Sequence, residues 1–474
     1  MAVGQPTQTP EEMSTLRSRA LKGGAYIVVR QGVGMLLSLI NVICVTRIIG
    51  PTQYGLFAAA NGMVAFLATL GTWGIDVYLI RKPEPPTTPE YNQAFTLLLF
   101  ISIVLLASLL AAHSLVAGAL QMHEVTPLLS ALAFFIPGHL LCLPGVVQLD
   151  RQLRFGRVAY NELISQTLNY VVAIPLALKG AGAWAPAAGV LTQQTSLLLL
   201  TNLAVKLHPR LHWDTGIIRQ ILGYGLGYSS SGWVWQLRTL VNPVIVGRLA
   251  GPQAVGYVAF SIRMVEVLAF AKTAAWRVAL AALAQLGGDK TRLRRSIEEG
   301  MRLEVMAVGI PLACFAVVAP QLLAIFGQKW EPALRIFPFI AVAYLCNAMF
   351  NLHASVLYLF AENMAVTRFH LVHVAAFAGS AALLIPRVGF IGYGWAEIIA
   401  LSSYVVLHLY VSKATGSPNY AAALLWFTVA TASLALSQTP NPLRPLTLGM
   451  LLVPLLLPGE RNKLDAYRRL LTGK

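Results

Sequence analysis

The sequence predicts an all-α polytopic membrane protein: two pseudo-symmetric six-helix lobes, arranged as parallel repeats, with about two additional C-terminal helices and 12–14 membrane-spanning helices in total. Three observations carry this. The 474 residues are 57% hydrophobic and only 11% charged, against about a quarter charged in a soluble domain. Apolar runs of about 20 residues recur from residue 24 to residue 457, each long enough to cross a hydrocarbon core of roughly 30 Å as a helix. They are continuously apolar, which excludes the alternation of a β-barrel. Finally, residues 39–59 and 240–260 align without a gap, agreeing at Leu39/Leu240, Asn41/Asn242, Val45/Val246, Arg47/Arg248, Gly50/Gly251, Pro51/Pro252, Gly55/Gly256 and Ala58/Ala259. Repetition at a spacing of 201 residues marks two copies of one unit.

The elements follow in order. Residues 1–23 are a polar tail carrying Arg17, Arg19 and Lys22, and lead into an apolar span too long for a signal-peptide core. Spans are expected at about 24–46, 56–80, 94–119, 127–149, 159–178 and 184–205, making an N-terminal lobe of 24–205. A cytoplasmic linker, 206–218, leads to spans at about 219–246, 256–284, 303–326, 334–360, 366–384 and 390–411, a C-terminal lobe of 219–412. Weaker runs at 420–437 and 446–457 fill 413–457, and a basic tail covers 458–474. Pro454 interrupts the last run, leaving a total of 12, 13 or 14.

With the N-terminus in the cytoplasm, 23 of the 35 Lys and Arg residues fall in cytoplasmic segments and 7 in outer ones, which sets the orientation. The net charge of +16 therefore reflects membrane topology and not a nucleic-acid partner. Cys44, Cys142, Cys314 and Cys346 lie far apart within apolar runs and read as small core residues.

Six spans separate the two Gly-Pro turns, so both emerge on the outer side and the lobes are parallel repeats, for which alternating access is the expected mechanism. Gly-Pro ends a helix, and the later Gly55 or Gly256 is expected to permit a tight reversal into the next span. Arg47 and Arg248 are expected to snorkel to headgroups.

No P-loop and no H-E-x-x-H motif is present, and no metal or cofactor is expected. His208 and His212 share a loop with Asp214, but Pro209 breaks any helix there, which favours a solvated loop. His370 and His373 stand one helical turn apart and read as polar residues facing a cavity. The informative residues are charges within spans: Arg30, Asp76, Arg238, Arg263, Glu266, Lys272, Arg277 and Glu397. Each costs about 2.5–3.5 kcal/mol near the bilayer centre, so such groups face protein interior or a watery cavity.

Arg30, Arg238, Arg263 and Lys272 outnumber the acids and suggest an anionic ligand with phosphate oxygens. Arg263 and Glu266, three apart, form a pair on one helix face in the competing structural reading, and Lys272 lies nearly opposite Arg263. Asp76 and Arg277 occupy equivalent repeat positions and form a candidate gate; the alternative pairs Asp76 with Arg81. Glu397 and Glu266 are candidates for ion coupling, against a hydrogen-bonded structural role for Glu397.

Several stretches carry a family resemblance: Leu21-Lys22-Gly23-Gly24-Ala25, Arg47-Ile48-Ile49-Gly50-Pro51 with Tyr54-Gly55-Leu56-Phe57, and Leu70-Gly71-Thr72-Trp73-Gly74-Ile75-Asp76. Arg151-Gln152-Leu153-Arg154-Phe155 with Glu162 and Ser165, the run Phe326 to Ala333, and Gly389-Phe390-Ile391-Gly392-Tyr393-Gly394-Trp395-Ala396 continue it. Over about residues 20–412 the chain resembles the bacterial Wzx-type polysaccharide flippases of the multidrug/oligosaccharidyl-lipid/polysaccharide (MOP) exporter superfamily. Arg-x-Leu-Arg-Phe points to the colanic-acid-exporter-like branch.

The resemblance implies a V of two six-helix lobes in the bacterial inner membrane. It implies a substrate, undecaprenyl-diphosphate-linked oligosaccharide, moved from the cytoplasmic to the periplasmic leaflet, with Arg30, Arg238 and Arg263 as pyrophosphate contacts. The implied partners are that lipid-linked glycan, the bilayer and the polysaccharide polymerase/export machinery. Two alternatives are weaker. A drug or metabolite antiporter on the same fold would favour an acidic cavity, and a membrane glycan polymerase or glycosyltransferase would need a larger outer loop than the roughly ten residues present here. The expected protein is not an enzyme.

Overall fold

The computed structural model describes residues 10–205, 210–270, 272, 289–360, 362–438, 444–463 and 465, and every regular element among them is helical. Among the described residues seven helices are long and apolar enough to cross a membrane, and two shorter apolar ones, Ala421–Leu436 and Thr447–Leu456, follow. Leu115, Leu203 and Leu456 are among many large apolar side chains left exposed, the surface a hydrocarbon solvent covers. Phe155–Leu178 and Trp184–Val205 fall short of the same apolarity, and they carry Asn161, Gln166, Asn169, Gln193, Gln194 and Asn202.

The chain forms two compact units, neither continuous in sequence. The first comprises residues up to 45, 64–114 and 126–229. Its helices include Ile75–Arg81, Thr88–Ala119 as far as residue 114, Phe135–Arg151, Phe155–Leu178 and Trp184–Val205. The Arg-x-Leu-Arg-Phe motif has a local structural task here. Arg151 donates from Nη1 to the carbonyls of Leu79, Ile80 and Lys82 at 2.8–2.9 Å and from Nη2 to Glu84 O at 3.2 Å. Leu153 turns the chain at φ 55°, and Arg154 reaches Ala204 O at 3.4 Å. Each arginine thus serves carbonyls that a helix end leaves without a partner. In the loop that Arg151 grips, Lys82 Nζ meets Glu90 at 2.5 Å, and this bond holds the ammonium above the ordinary lysine range.

The second unit comprises 46–63, 115–125 and 230–474, and contains both copies of the repeated turn. Gly50 (φ 75°, ψ 175°) and Gly251 (φ 80°, ψ 175°) share one backbone conformation that side-chain-bearing residues avoid. Pro51 and Pro252 follow, where the fixed φ suits the start of the next helix. The later glycines do a different job from the expected reversal. A Cβ on Gly55 would lie 1.7 Å from Pro252 O, and one on Gly256 would lie 2.1 Å from Pro51 O. The two turns pack reciprocally, backbone on backbone, and only glycine leaves room.

Trp330, buried to 1% exposure, locks this junction. Its Nε1 donates to Thr46 O at 3.2 Å, and its ring packs against Tyr54, Tyr257 and Phe260 with centroids 5.8, 6.2 and 4.5 Å away. Arg47 and Arg248 are also better accounted for than by snorkelling. Arg47 Nη1 donates to Ala324 O and Ile325 O at 3.2 and 2.7 Å, at the end of the helix Lys290–Phe326. Arg248 Nη1 donates to Ala119 O at 2.7 Å, at the end of Thr88–Ala119. Repeat-equivalent arginines therefore cap helix C-termini, where a cation suits the dipole.

Ala421–Leu436 and a 3₁₀ stretch, Arg444–Leu456, pack near Ala313 through Val429 and Leu451. Arg302, 1% exposed, is held by Glu460 at 3.2 Å, whose other donor is Trp426 Nε1 at 3.0 Å.

Candidate functional site

The helix Thr215–Gln236 does not run on smoothly. It tightens to a 3₁₀ turn over Leu237–Leu240 and then widens to a π turn over Val241–Val246. Pro243 lies in the wide turn, where it has no N–H to donate, and such irregularities mark functional segments more often than regular helix does. Arg238 sits on the 3₁₀ turn, its guanidinium 4.8 Å from the Trp235 ring centroid. Trp235, Arg238, Ala343, Tyr344, Asn347, His373, Glu397, Leu401 and Tyr404 line a small cavity.

Arg238 Nη2 donates to Glu397 Oε1 at 3.3 Å, and Tyr393 donates its hydroxyl to the same oxygen at 3.3 Å. Glu397 is 1% exposed. Tyr344 and Asn347 connect this pair to other charges. Tyr344 donates to Glu266 Oε1 at 3.3 Å, and Glu266 Oε2 meets Arg263 Nη1 at 3.3 Å. Lys272 Nζ lies 5.5 Å from the Tyr344 ring centroid and donates to Asn347 Oδ1. Asn347 Nδ2 in turn donates to Tyr404 at 2.7 Å. One turn further, Asn351 Nδ2 donates to both oxygens of the buried Glu304 at 3.1 and 3.0 Å.

Of the charges expected in the spans, the structure places Arg238 and Glu397 on the cavity wall, with Lys272 behind Asn347, and Glu266 and its partner Arg263 behind Tyr344. Arg263 and Glu266 are about two-fifths exposed, and Glu397 is a bonded glutamate. Asp76 is half-buried in the first turn of Ile75–Arg81, where an acid suits the helix dipole. Arg277 and His208 lie outside the described residues, and Arg30 is placed only by its backbone, in the helix Pro10–Gly71. Among the described residues no cluster suits a metal ion.

Of the two histidines, His373 lines the same cavity and His370 packs behind it on Trp235. His370 Nδ1 donates to Ser231 O at 2.9 Å, and both imidazoles pack tilted against Trp235, with centroids 4.8 and 5.1 Å away. Ser403 Oγ donates to Ala400 O at 2.7 Å, so it accepts from His373 Nδ1 at 2.9 Å. That assigns His373 Nε2 as an acceptor. Tyr344, Asn347, Tyr404 and Glu304 were not singled out by sequence. The available signal was Tyr344 and Asn347 three apart inside an apolar span, while Glu304 reads as the end of the Glu298-Glu299 run.

This helical architecture is shared with solved flippases and transporters. The structure is similar to lipid II flippase MurJ in an inward closed conformation, with TM-score 0.71 over 95% of this chain and 100% of that one at 11% identity. It is also similar to a multidrug resistance MATE family transporter in an inward-facing conformation, with TM-score 0.55 over 87% and 99% of the two chains at 14% identity. Both likenesses establish a shared fold.

The family model described as polysaccharide biosynthesis protein matches residues 44–335, and the chain belongs to that family. Among curated proteins it is similar to the succinoglycan biosynthesis transport protein ExoT of Rhizobium meliloti (strain 1021), 24% identical over 80% of each chain. It is also similar to the lipopolysaccharide biosynthesis protein WzxC of Escherichia coli (strain K12), 21% identical over 71% of this chain and 69% of that one.

Proposed function

We propose that the protein is a non-enzymatic flippase that moves undecaprenyl-diphosphate-linked oligosaccharide repeat units from the cytoplasmic to the periplasmic leaflet by alternating access, for surface polysaccharide synthesis. The observation that carries this reading is the cationic, aromatic-lined interior around Arg238 and Lys272, within a family named for polysaccharide biosynthesis. A guanidinium suits phosphate oxygens through paired N–H donors, and the neighbouring aromatic faces suit the apolar faces of sugar rings.

A flippase breaks no covalent bond, so the site needs cations and a cavity that changes sides, and no nucleophile. Arg30, Arg238, Arg263 and Lys272 are the diphosphate contacts in this reading, Asp76 and Arg277 the gate, and the N-terminus is cytoplasmic. Likeness to the lipid II flippase MurJ and to the transport protein ExoT supports the class. MATE transporters share the fold, but the basic interior here is ill suited to the cationic substrates of an antiporter.

Lipid-linked glycans from a deletion strain test the reading. Accumulation of complete repeat units on the inner leaflet, with loss of surface glycan, is the expected result. A normal surface glycan without accumulation would exclude the role. Charge reversal at Asp76 and Arg277 tests the gate, since the double reversal is expected to restore what either single reversal loses.

A further inference from the structure

The cavity beside Arg238 presents two buried acceptors with nothing to accept. Among the described residues, neither Glu397 Oε2 nor His373 Nε2 has a hydrogen-bond partner, although the two residues are only 1% and 2% exposed. The Arg238–Glu397 contact is also less than this pair of groups can make. A guanidinium and a carboxylate form two parallel bonds when free to optimise, whereas here a single 3.3 Å contact reaches one oxygen. Tyr393 shares that oxygen. The carboxylate is therefore held at one end only, in the same cavity lining as an imidazole nitrogen that the Ser403 bond has fixed as an acceptor.

We propose that Glu397 is an internal stand-in for the phosphate of the transported lipid: a phosphate oxygen displaces it from Arg238, and Glu397 then takes up one proton. This rests on the flippase reading above. Once Arg238 turns to the phosphate, an ionised Glu397 is left buried without a counter-charge, which is strongly unfavourable. Protonation removes that charge, and the proton comes from bulk water onto Oε2 while the guanidinium keeps its own. The new O–H is a donor, and His373 Nε2 is the orphaned acceptor on the same cavity wall. Both unsatisfied atoms of the resting state thus find partners in the displaced state.

The other groups around the carboxylate fit the exchange. Tyr344, Tyr393 and Tyr404 are neutral donors, and Lys272 bonds Asn347 rather than the carboxylate. Arg238 is thus the cation whose partner changes. The lipid head then binds with one proton, and the occupied site carries one negative charge fewer than the head alone.

The test uses the purified full-length chain in lipid nanodiscs, with undecaprenyl diphosphate as the probe at about pH 8, where the diphosphate head is ionised. Calorimetry in two buffers of different ionisation enthalpy counts protons. The expected result is about one proton taken up per lipid bound, with affinity rising about tenfold for each unit the pH falls. Glu397→Gln is expected to bind at least as tightly as the parent, with no uptake and a flat pH dependence. The parent protein carries the proton count even if that variant fails to fold. Binding by the parent without proton uptake would overturn the exchange and leave the flippase reading standing. An unchanged uptake in Glu397→Gln would also overturn it, by assigning the proton elsewhere. No binding of the lipid diphosphate at all would overturn both.

Discussion

Replacing Gly256 with alanine adds one methyl group at the tightest junction in the second unit. Its Cβ would stand 2.1 Å from Pro51 O, 2.9 Å from Pro51 C and 3.2 Å from Gly55 N; the reciprocal Gly55→Ala would stand 1.7 Å from Pro252 O. Ordinary carbon contacts begin near 3.4 Å, so either change forces two helix starts apart by about 1 Å or more. The atoms met are backbone on both sides, leaving no rotamer to yield, and the cost lies at or above the about 1–3 kcal/mol of ordinary overpacking.

Gly62→Ala is the control. It sits on the same helix with nothing nearer than Pro243 Cγ at 3.5 Å, so its helix propensity gain of up to about 1 kcal/mol is the main term. Thermal unfolding in detergent, followed by the fluorescence of Trp330 and its neighbours, should place Gly55→Ala and Gly256→Ala clearly below the parent and Gly62→Ala at or above it. The double variant should cost about 0.5–3 kcal/mol less than the sum, because both methyls part the same two backbones. Equal melting of Gly55→Ala and Gly62→Ala, or strict additivity of the double, would refute the reciprocal packing.

Three further outcomes follow from the same structure. Arg151→Lys keeps the charge but cannot span four carbonyls, so a loss of about 1–3 kcal/mol is expected; melting at the parent temperature would show that the cap contributes nothing. Arg302→Met leaves Glu460 buried without its cation and should cost about 3–5 kcal/mol, whereas Arg302→Met with Glu460→Met should recover most of that, read by the same unfolding assay. Arg47→Ala frees two carbonyls and Arg248→Ala one, so hydrogen exchange should rise at the end of Lys290–Phe326 in the first variant and of Thr88–Ala119 in the second. A rise at neither end would contradict the capping role.

Much of the candidate site was legible because burying charge in a membrane is costly. Arg238, Lys272, Glu397, Arg263 and Glu266 stand out in apolar runs for that reason alone. Their connectors did not stand out. Tyr344 and Asn347 are neutral, and a span tolerates them at little cost, yet they join the charges to one cavity. Glu397 was expected either to carry an ion or to be held structurally. Its hold on Arg238 spans 159 residues of chain, which no local spacing encodes.

The sequence by itself determined the helical membrane class, the repeat and the position of its turns, since apolar length, charge depletion and Gly-Pro pairs act through neighbours along the chain. Only the tertiary structure decided what each repeated residue does. Gly50 and Gly251 are needed for a backbone conformation, Gly55 and Gly256 for space against the opposite copy, and Arg47 and Arg248 for the ends of helices far away in sequence. A residue's own letter states its conformational range and its charge. Which surface or partner it meets is set by the packing of segments that the chain brings together only when folded.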